Sequence, residues 1–414
     1  MRRNQADVPL PTAGGPGHTD LFDRCRKYTR AKEAQVAGFY PYFIPIAGSE
    51  GTEILIDGDR KIALGSNNYL GLTHDPRVLE KAERAGRQYG TGCTGSRLLN
   101  GTLDLHEKLE AELADFMGKE AALVFSTGYQ TNLGVIAALV HRGDAVILDK
   151  LDHASIVDGA KLSAGTTYRY NHADLGALQR ALERARRDLP NGGKLVIVDG
   201  VFSMEGDIAD LPAILPICKR FGAHLAVDEA HSVGVMGETG AGVHEHFGVT
   251  AACDILIGTF SKAFASIGGF AAGDEAVIHY IKHHARALIF TASMPPYAVA
   301  TVRECLRIVR AEPELRERLW RNSQRLKEGL DAIGFNTGTS ATPIVPILVG
   351  DSTRTFLFWK ALFDNGVFTN PVVAPAVPEG SARIRTSVMA THTNALIDEA
   401  LEKIERAGKQ VGLI

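Results

Sequence analysis

Short apolar runs recur along the middle of this chain, each followed by a polar turn and then by a stretch with helical spacing. Ala122-Leu-Val-Phe125, Ala145-Val-Ile-Leu148, Leu195-Val-Ile-Val198, Leu225-Ala-Val227 and Ile255-Leu-Ile257 are too short for helices. They are apolar throughout, which suits strands buried on both faces. Between them, residues 174–187 read as an amphipathic helix and 211–221 as another. Leu105, Leu109, Leu113 and Phe116 share one face of an earlier helix. Strand and helix alternate from about 120 to 270, the pattern of a mostly parallel α/β sheet.

The flanks read differently. Residues 20–38 are charged and expected to be helical, and Pro41 in Tyr40-Pro-Tyr-Phe43 ends that helix. Glu53-Ile-Leu-Ile-Asp-Gly58 and Lys61-Ile-Ala-Leu64 predict a hairpin that turns at Asp57-Gly58. Past the core, a helix over 313–333 with Leu315, Leu319, Leu326 and Leu330 on one face should close at Gly334. It leads to the apolar run Ile344-Val-Pro-Ile-Leu348, a strand over Ala382–Thr386 and a final helix after 393. The expected organisation is a flexible tail over 1–19 and a helix-and-hairpin segment over 20–60. A large domain over 61–300 and a smaller C-terminal α+β domain over 301–414 follow.

Composition narrows the function classes. A net charge of −3 provides no basic field for nucleic acid. Five scattered cysteines without CxxC spacing indicate free thiols in a reducing compartment, so the cytoplasm is the expected location. No apolar run approaches the roughly 18 residues of a membrane span, and residues 1–18 lack the apolar core of a signal peptide. Peripheral membrane contact stays open. Lys282-His283-His284 would point its adjacent histidines to different faces of a helix, so no metal site is expected there.

The chemistry gathers at strand ends. Asp254-Ile-Leu-Ile-Gly-Thr-Phe-Ser-Lys262 is a buried strand that ends in hydroxyl residues and one lysine. A partly desolvated lysine suits Schiff-base chemistry, although a lone strand-end lysine more often just reaches solvent. Ser126-Thr-Gly-Tyr129 joins a strand to a helix start, a ready anion site. A Walker A loop is absent from the chain, which excludes the P-loop reading and weakens the helicase reading of Asp228-Glu-Ala-His231. Ser126, His153, Ser203, Asp228 and Lys262 all fall at or just after strand carboxyl ends, where ligands of such sheets bind. Lys262 can form an imine, Asp228 can hold a protonated pyridine nitrogen, and His153 can stack on a flat ring. Gly128, Tyr129 and nearby hydroxyls can hold a phosphate. Those are the requirements of pyridoxal 5′-phosphate (PLP).

The ordered motifs resemble the α-oxoamine synthases, a family of fold-type-I PLP-dependent enzymes, over roughly residues 20–410. They are Asn67-Asn68-Tyr69-Leu70-Gly71, Gly90-Thr-Gly-Cys-Thr-Gly-Ser-Arg97, Ser126–Tyr129, Asp152-His-Ala-Ser155, Ser203-Met204, Asp228–His231, Gly258–Lys262, Thr291-Ala-Ser293 and Arg385. Tyr40–Phe43, Pro371-Val-Val-Ala-Pro-Ala-Val-Pro378 and Met389-Ala-Thr-His392 are most similar to bacterial serine palmitoyltransferases. The implied fold is a large domain with a mostly parallel seven-stranded sheet plus a smaller C-terminal domain.

The resemblance implies that Lys262 holds the cofactor and later removes the amino acid's Cα proton. Asp228 would pair with the ring nitrogen, His231 with the phenolic oxygen, and His153 would stack on the ring. Gly128, Tyr129, Ser203 and Thr259 would bind the cofactor, joined by Thr291 and Ser293 from the partner subunit of a homodimer. Asn68 would help to bind substrate, and Arg385 would clamp its carboxylate. Arg383 lies on the same face and competes for that role. The implied reaction condenses L-serine with a long-chain acyl-CoA to give 3-ketosphinganine, CoA and CO2. Glycine or alanine with another acyl thioester, on CoA or a carrier protein, is the alternative. An aminotransferase and an inert paralogous subunit are further readings. Ala263 departs from the serine of close relatives.

Overall fold

The computed structural model describes residues 20–414, so the tail expected over 1–19 lies outside the described residues. Residues up to Ile44 form one unit and Pro45–Ile414 a second. In the first, the single helix expected over 20–38 is two short ones, Asp23–Arg26 and Arg30–Val36. Neither buries a residue, and short helices without a packed face do not propagate.

The second unit opens with β1 (Gly48–Ser49), β2 (Glu53–Ile56) and β3 (Asp59–Ala63). The hairpin register pairs Ile56 with Asp59, as the Asp57-Gly58 turn requires. Asp57 and Gly58 have φ of 51° and 87°, both in the left-handed region that a two-residue hairpin turn needs.

The main sheet contains β4 (Ala121–Phe125), β5 (Ala145–Asp149), β6 (Thr166–Tyr170), β7 (Lys194–Asp199), β8 (His224–Asp228), β9 (Ile255–Thr259) and β10 (Gly269–Gly273). Its order is β4-β10-β9-β8-β7-β5-β6. All neighbours are parallel except β10, which is antiparallel to both β4 and β9. Five of the seven strands contain the apolar runs of the sequence. The other two carry weaker signals: β6 is the half-exposed edge, and β10 reads Gly-Phe-Ala-Ala-Gly. Small residues suit β10, because a Cβ on Gly269 would stand 2.6 Å from Thr131 Oγ1 and 2.7 Å from Gly128 Cα.

Helices Gly128–Leu139 and Ala154–Leu162 cover one face of this sheet. Val135, Ile136 and Ile156 pack there against Val146, Leu148, Ile197 and Ile257, all at or below 1% exposure. Each such side chain contributes about 1.5–3 kcal/mol of burial, so the strand ends are carried on a rigid base. Because six strands run one way, β4, β5, β7, β8 and β9 end on one edge. The register sets Asp199 beside Asp228 and Asp228 beside Ile257.

A third group follows: β11 (Ile344–Gly350), β12 (Val367–Phe368), β13 (Asn370–Val372) and β14 (Ala382–Ser387). The three-stranded antiparallel sheet runs β11-β14-β13, while β12 extends the hairpin sheet alongside β3. β14 is buried along its whole length, which makes Arg383 and Arg385 buried cations on one face of the strand. The helix Glu314–Ile333 ends at Gly334 in the left-handed conformation. Among the described residues, no helix is long and apolar enough to cross a membrane.

Candidate active site

Past β9 the chain folds into a tight loop. Phe260 N–H donates to Gly268 O at 3.0 Å, and Ser266 N–H donates to Phe260 O at 2.9 Å. Ala263 and Phe264 are buried beneath it. Ala263 packs against Gly234, where a Cβ would stand 2.7 Å from its own. The loop sets Lys262 on the wall of a cavity of about 300 Å³. Gly128, Tyr129, His153, Ser203, Asp228, His231 and Thr259 line the same cavity. Burial pulls the Lys262 amine down to about 8, and the Asp228 and Asp199 charges oppose that pull.

Asp228, at the end of β8, is buried and forms no ion pair among the described residues. Its Oδ2 accepts from Asn132 Nδ2 at 2.7 Å and its Oδ1 from Ala230 N–H at 2.9 Å. Asp199, one strand over, also lines the cavity. Burial and the Asp228 charge hold its carboxyl well above the usual range.

His153 is placed by Asp152, which clasps two strand ends. The Asp152 carboxylate accepts from Asp149 N–H at 2.7 Å and from Asp199 N–H at 3.1 Å. His153 N–H then donates to Asp199 Oδ2 at 2.9 Å, and its Nδ1 lies 2.7 Å from Ser155 Oγ. Burial lowers the His153 pKa, Asp228 works against that, and Lys262 adds to it.

The helix that starts at Gly128 is capped by Thr127, whose Oγ1 accepts from Gln130 N–H at 3.1 Å. The N–H groups of Gly128 and Tyr129 precede the first intrahelical bond and find no acceptor among the described residues. A Cβ on Gly128 would stand 2.6 Å from Thr259 Oγ1, so only glycine lets the helix start approach that hydroxyl. The Tyr129 phenol points away and donates to Asp158. Ser261, one of the hydroxyl residues just past β9 and without an expected role, lies 2.9 Å from Thr259 Oγ1 and lines the cavity.

The two arginines of β14 have different partners. Arg383 donates to Glu205 at 3.1 Å and is neutralised by that carboxylate. Arg385 donates to Ser203 O at 2.7 Å and to Asn67 Oδ1 at 2.9 Å, and it lies 3.4 Å from Tyr69 Oη. None of these partners is charged, so Arg385 is a buried cation without a carboxylate among the described residues. That condition favours an anionic ligand at Arg385 over Arg383.

Asn68 stands apart from the cavity. Its Nδ2 donates to Thr73 Oγ1 at 2.8 Å and its Oδ1 is sealed without a partner, so it faces neither the cavity nor Arg385. Asn67 is the amide that meets Arg385. A polar loop has no period, so the sequence could not tell the two apart.

Thr291 and Ser293 do not line the cavity. Thr291 Oγ1 accepts from Gln130 Nε2 at 3.2 Å, and Ser293 Oγ donates to Gly95 O at 3.1 Å. Asn132, Ser155, Asp199 and Tyr69 are further site residues to which the sequence assigns no role. Ser155 and Tyr69 fall within the motifs above, Asp199 is an acid at a strand end, and Asn132 carries no signal.

The cavity residues fit PLP. A buried carboxylate without a cation needs one, and a protonated pyridine nitrogen supplies it. A lysine with a lowered pKa meets an aldehyde, and unbonded N–H groups at a helix start meet a phosphate.

The family model for aminotransferase class I and II matches residues 59–404. The chain is 49% identical to the serine palmitoyltransferase of Sphingobacterium spiritivorum, over 94% of this chain and 97% of that one. It is 40% identical to the 8-amino-7-oxononanoate synthase of Treponema denticola, over 93% of this chain and 97% of that one. Among solved structures it superposes on the serine palmitoyltransferase of S. paucimobilis with bound PLP–myriocin aldimine at a TM-score of 0.91. The two are 39% identical, with 96% of this chain and 100% of that one covered. The chain belongs to the aminotransferase class I and II family of fold-type-I PLP-dependent enzymes and, within it, to the α-oxoamine synthases beside the serine palmitoyltransferases.

Proposed function

We propose that this protein is a PLP-dependent C-acyltransferase that condenses L-serine with palmitoyl-CoA or a similar long-chain acyl-CoA, giving 3-ketosphinganine, CoA and CO2. The observation that carries the reading is Lys262 on the cavity wall together with the carboxylate-free Arg385 bonded to Ser203 of that same wall, in a chain 49% identical to a serine palmitoyltransferase. Bound PLP supplies an electron sink for the bonding electrons at the substrate Cα.

The chain's own groups do the rest. Lys262 Nζ, brought to about 8 by burial, accepts the Cα proton near neutrality and returns it to Cα once the new carbon–carbon bond has formed and CO2 has left. Asp228, held by Asn132 and Ala230, presents a fixed negative charge to the ring nitrogen. His153, kept neutral by burial, offers a flat face to the ring. Gly128, Tyr129, Thr259 and Ser203 hold the cofactor's periphery, and Arg385 with Asn67 holds the serine carboxylate until it leaves as CO2. Arg385 is fixed by Ser203 O, so carboxylate capture and the cofactor wall share one loop.

A neighbouring cavity of about 810 Å³, bounded by Asp152, Ala154, Met204 and residues 374–379, offers room for the thioester arm. We further propose a homodimer in which Thr291 and Ser293 complete the partner's cofactor site. Residues 61–300 would act as the cofactor domain, 301–414 as the smaller domain, and the reaction would proceed in the cytoplasm.

The test is a titration of the purified protein with L-serine, glycine and L-alanine, followed by visible absorbance. Palmitoyl-CoA is then added, with thiol release and product mass as readouts. Serine saturation with release of CoA and a 3-ketosphinganine mass is the expected result. Turnover with glycine or alanine alone would move the protein to another α-oxoamine synthase reaction. Absence of a visible chromophore in the loaded protein would overturn the cofactor assignment.

A further inference from the structure

Tyr69 was part of a loop motif and had no assigned role. It is 1% exposed and sits between two groups of the site. Its Oη lies 2.7 Å from His231 Nδ1 and 3.4 Å from Arg385 Nη2. The next polar atom, Asn67 Oδ1, is 3.5 Å away and already accepts from Arg385 at 2.9 Å.

The proton positions follow from donor rules. A guanidinium only donates, so the lone pairs of Tyr69 Oη face Arg385 and its single proton points elsewhere. The near acceptor is His231 Nδ1. If Nδ1 carried the proton instead, the phenol would have to send its own toward the more distant Asn67 oxygen. Burial raises the Tyr69 pKa, so the phenol keeps its proton. Burial lowers that of His231, with Lys262, Arg385 and His153 adding to the effect, so the ring is neutral with one donor and one acceptor. His231 lines the cavity, and its Nε2 has no protein partner among the described residues and is not sealed off.

We propose that Tyr69 is a positioning residue: it donates its phenolic hydrogen to Nδ1 of His231, holds the imidazole as the Nε2–H tautomer, and so presents a hydrogen-bond donor to the cavity. That this donor meets the phenolic oxygen of PLP rests on the function proposed above; the tautomer itself does not. The arrangement links the carboxylate end of the site to the cofactor end through two hydrogen bonds, Arg385 to Tyr69 to His231.

Full-length protein labelled with ¹⁵N-histidine, with and without PLP, tests this. His231 is assigned by its loss in His231→Gln. The wild type should show a neutral His231 with protonated Nε2 and an acceptor Nδ1, also without cofactor. Tyr69→Phe should populate the Nδ1–H tautomer. It should also lower kcat about tenfold, the scale of one lost hydrogen bond, with KM for the amino acid within about twofold. A wild-type His231 protonated at Nδ1 would overturn the proposal, and that spectrum decides even if Tyr69→Phe fails to fold. An unchanged tautomer in a folded Tyr69→Phe protein would overturn it too. A missing acyltransferase activity with the expected tautomer would count against the proposed function and leave this inference standing.

Discussion

Asn132 donates to Asp228 Oδ2 at 2.7 Å from the same amide nitrogen that donates to Ser155 Oγ at 2.9 Å. Asn132 is buried in the helix that starts at Gly128, so the helix with the unbonded Gly128 and Tyr129 N–H groups also fixes the Asp228 carboxylate. Its Oδ1 is sealed without a partner, so the amide is retained for what its nitrogen donates. Replacing Asn132 with leucine keeps the branched four-atom side chain and removes a hydrogen bond to a charged acceptor. Such bonds are worth about 1.5–3 kcal/mol, so PLP affinity should fall about 10- to 100-fold. Equilibrium dialysis of the cofactor against the stripped variant measures this, and an unchanged affinity would show that Asp228 is held without Asn132.

The β14 arginines should separate in kinetics. Arg385→Lys keeps a charge but loses the fork that meets a carboxylate with two parallel bonds. KM for the amino acid should rise about 10- to 100-fold, while kcat changes far less. Arg383→Lys should leave that KM within about twofold, because Glu205 already neutralises Arg383. Equal effects from the two substitutions would return the carboxylate site to Arg383 or to both.

Lys262 should titrate near 8 in the cofactor-free protein, since burial disfavours its charged form. Its rate of reductive methylation, followed by mass spectrometry of the peptide, should rise with a midpoint there and not near the ordinary lysine value. The Asp228 charge holds that pKa up, so Asp228→Asn should move the midpoint lower still. A midpoint that rises in the variant would mean the two groups do not share a field.

Lys262, Asp228 and His153 were legible because strand ends in a parallel sheet point to one edge, and apolar runs mark those ends. The same logic placed five strands of the main sheet. It missed β10, whose Gly-Phe-Ala-Ala-Gly carries no strand preference and is held by close packing against Gly258. Asn132 was invisible because nothing in a helix start says that one amide turns inward to a strand 96 residues away. Asn67 and Asn68 differ only in which way a turn throws each side chain. Tyr69 read as part of a motif, and only the distances to His231 and Arg385 give it a task.

His172 yields a prediction about stability. Its Nε2 lies 2.9 Å from Asp207 and its Nδ1 3.2 Å from Asp149, so it ties the end of β5 to the loop that carries Ser203. Burial works against the charged ring, but the two carboxylates outweigh it and push the pKa up to about 10. The unfolded value is about 6.5. A folded pKa above the unfolded one means that the contribution is complete below pH ~6.5 and is lost as pH rises toward 10. The loss proceeds with a slope of at most ~1.4 kcal/mol per pH unit. Other groups titrate in this range, so the difference between wild type and His172→Gln is the informative quantity. At pH 6.5 the variant should unfold at lower urea concentration than the wild type, and the two midpoints should converge as pH approaches 10. The wild type loses stability across that window and the variant stays flatter. Parallel curves would show that His172 has no raised pKa, and with it that the Asp149–Asp207 clasp does not hold a charge.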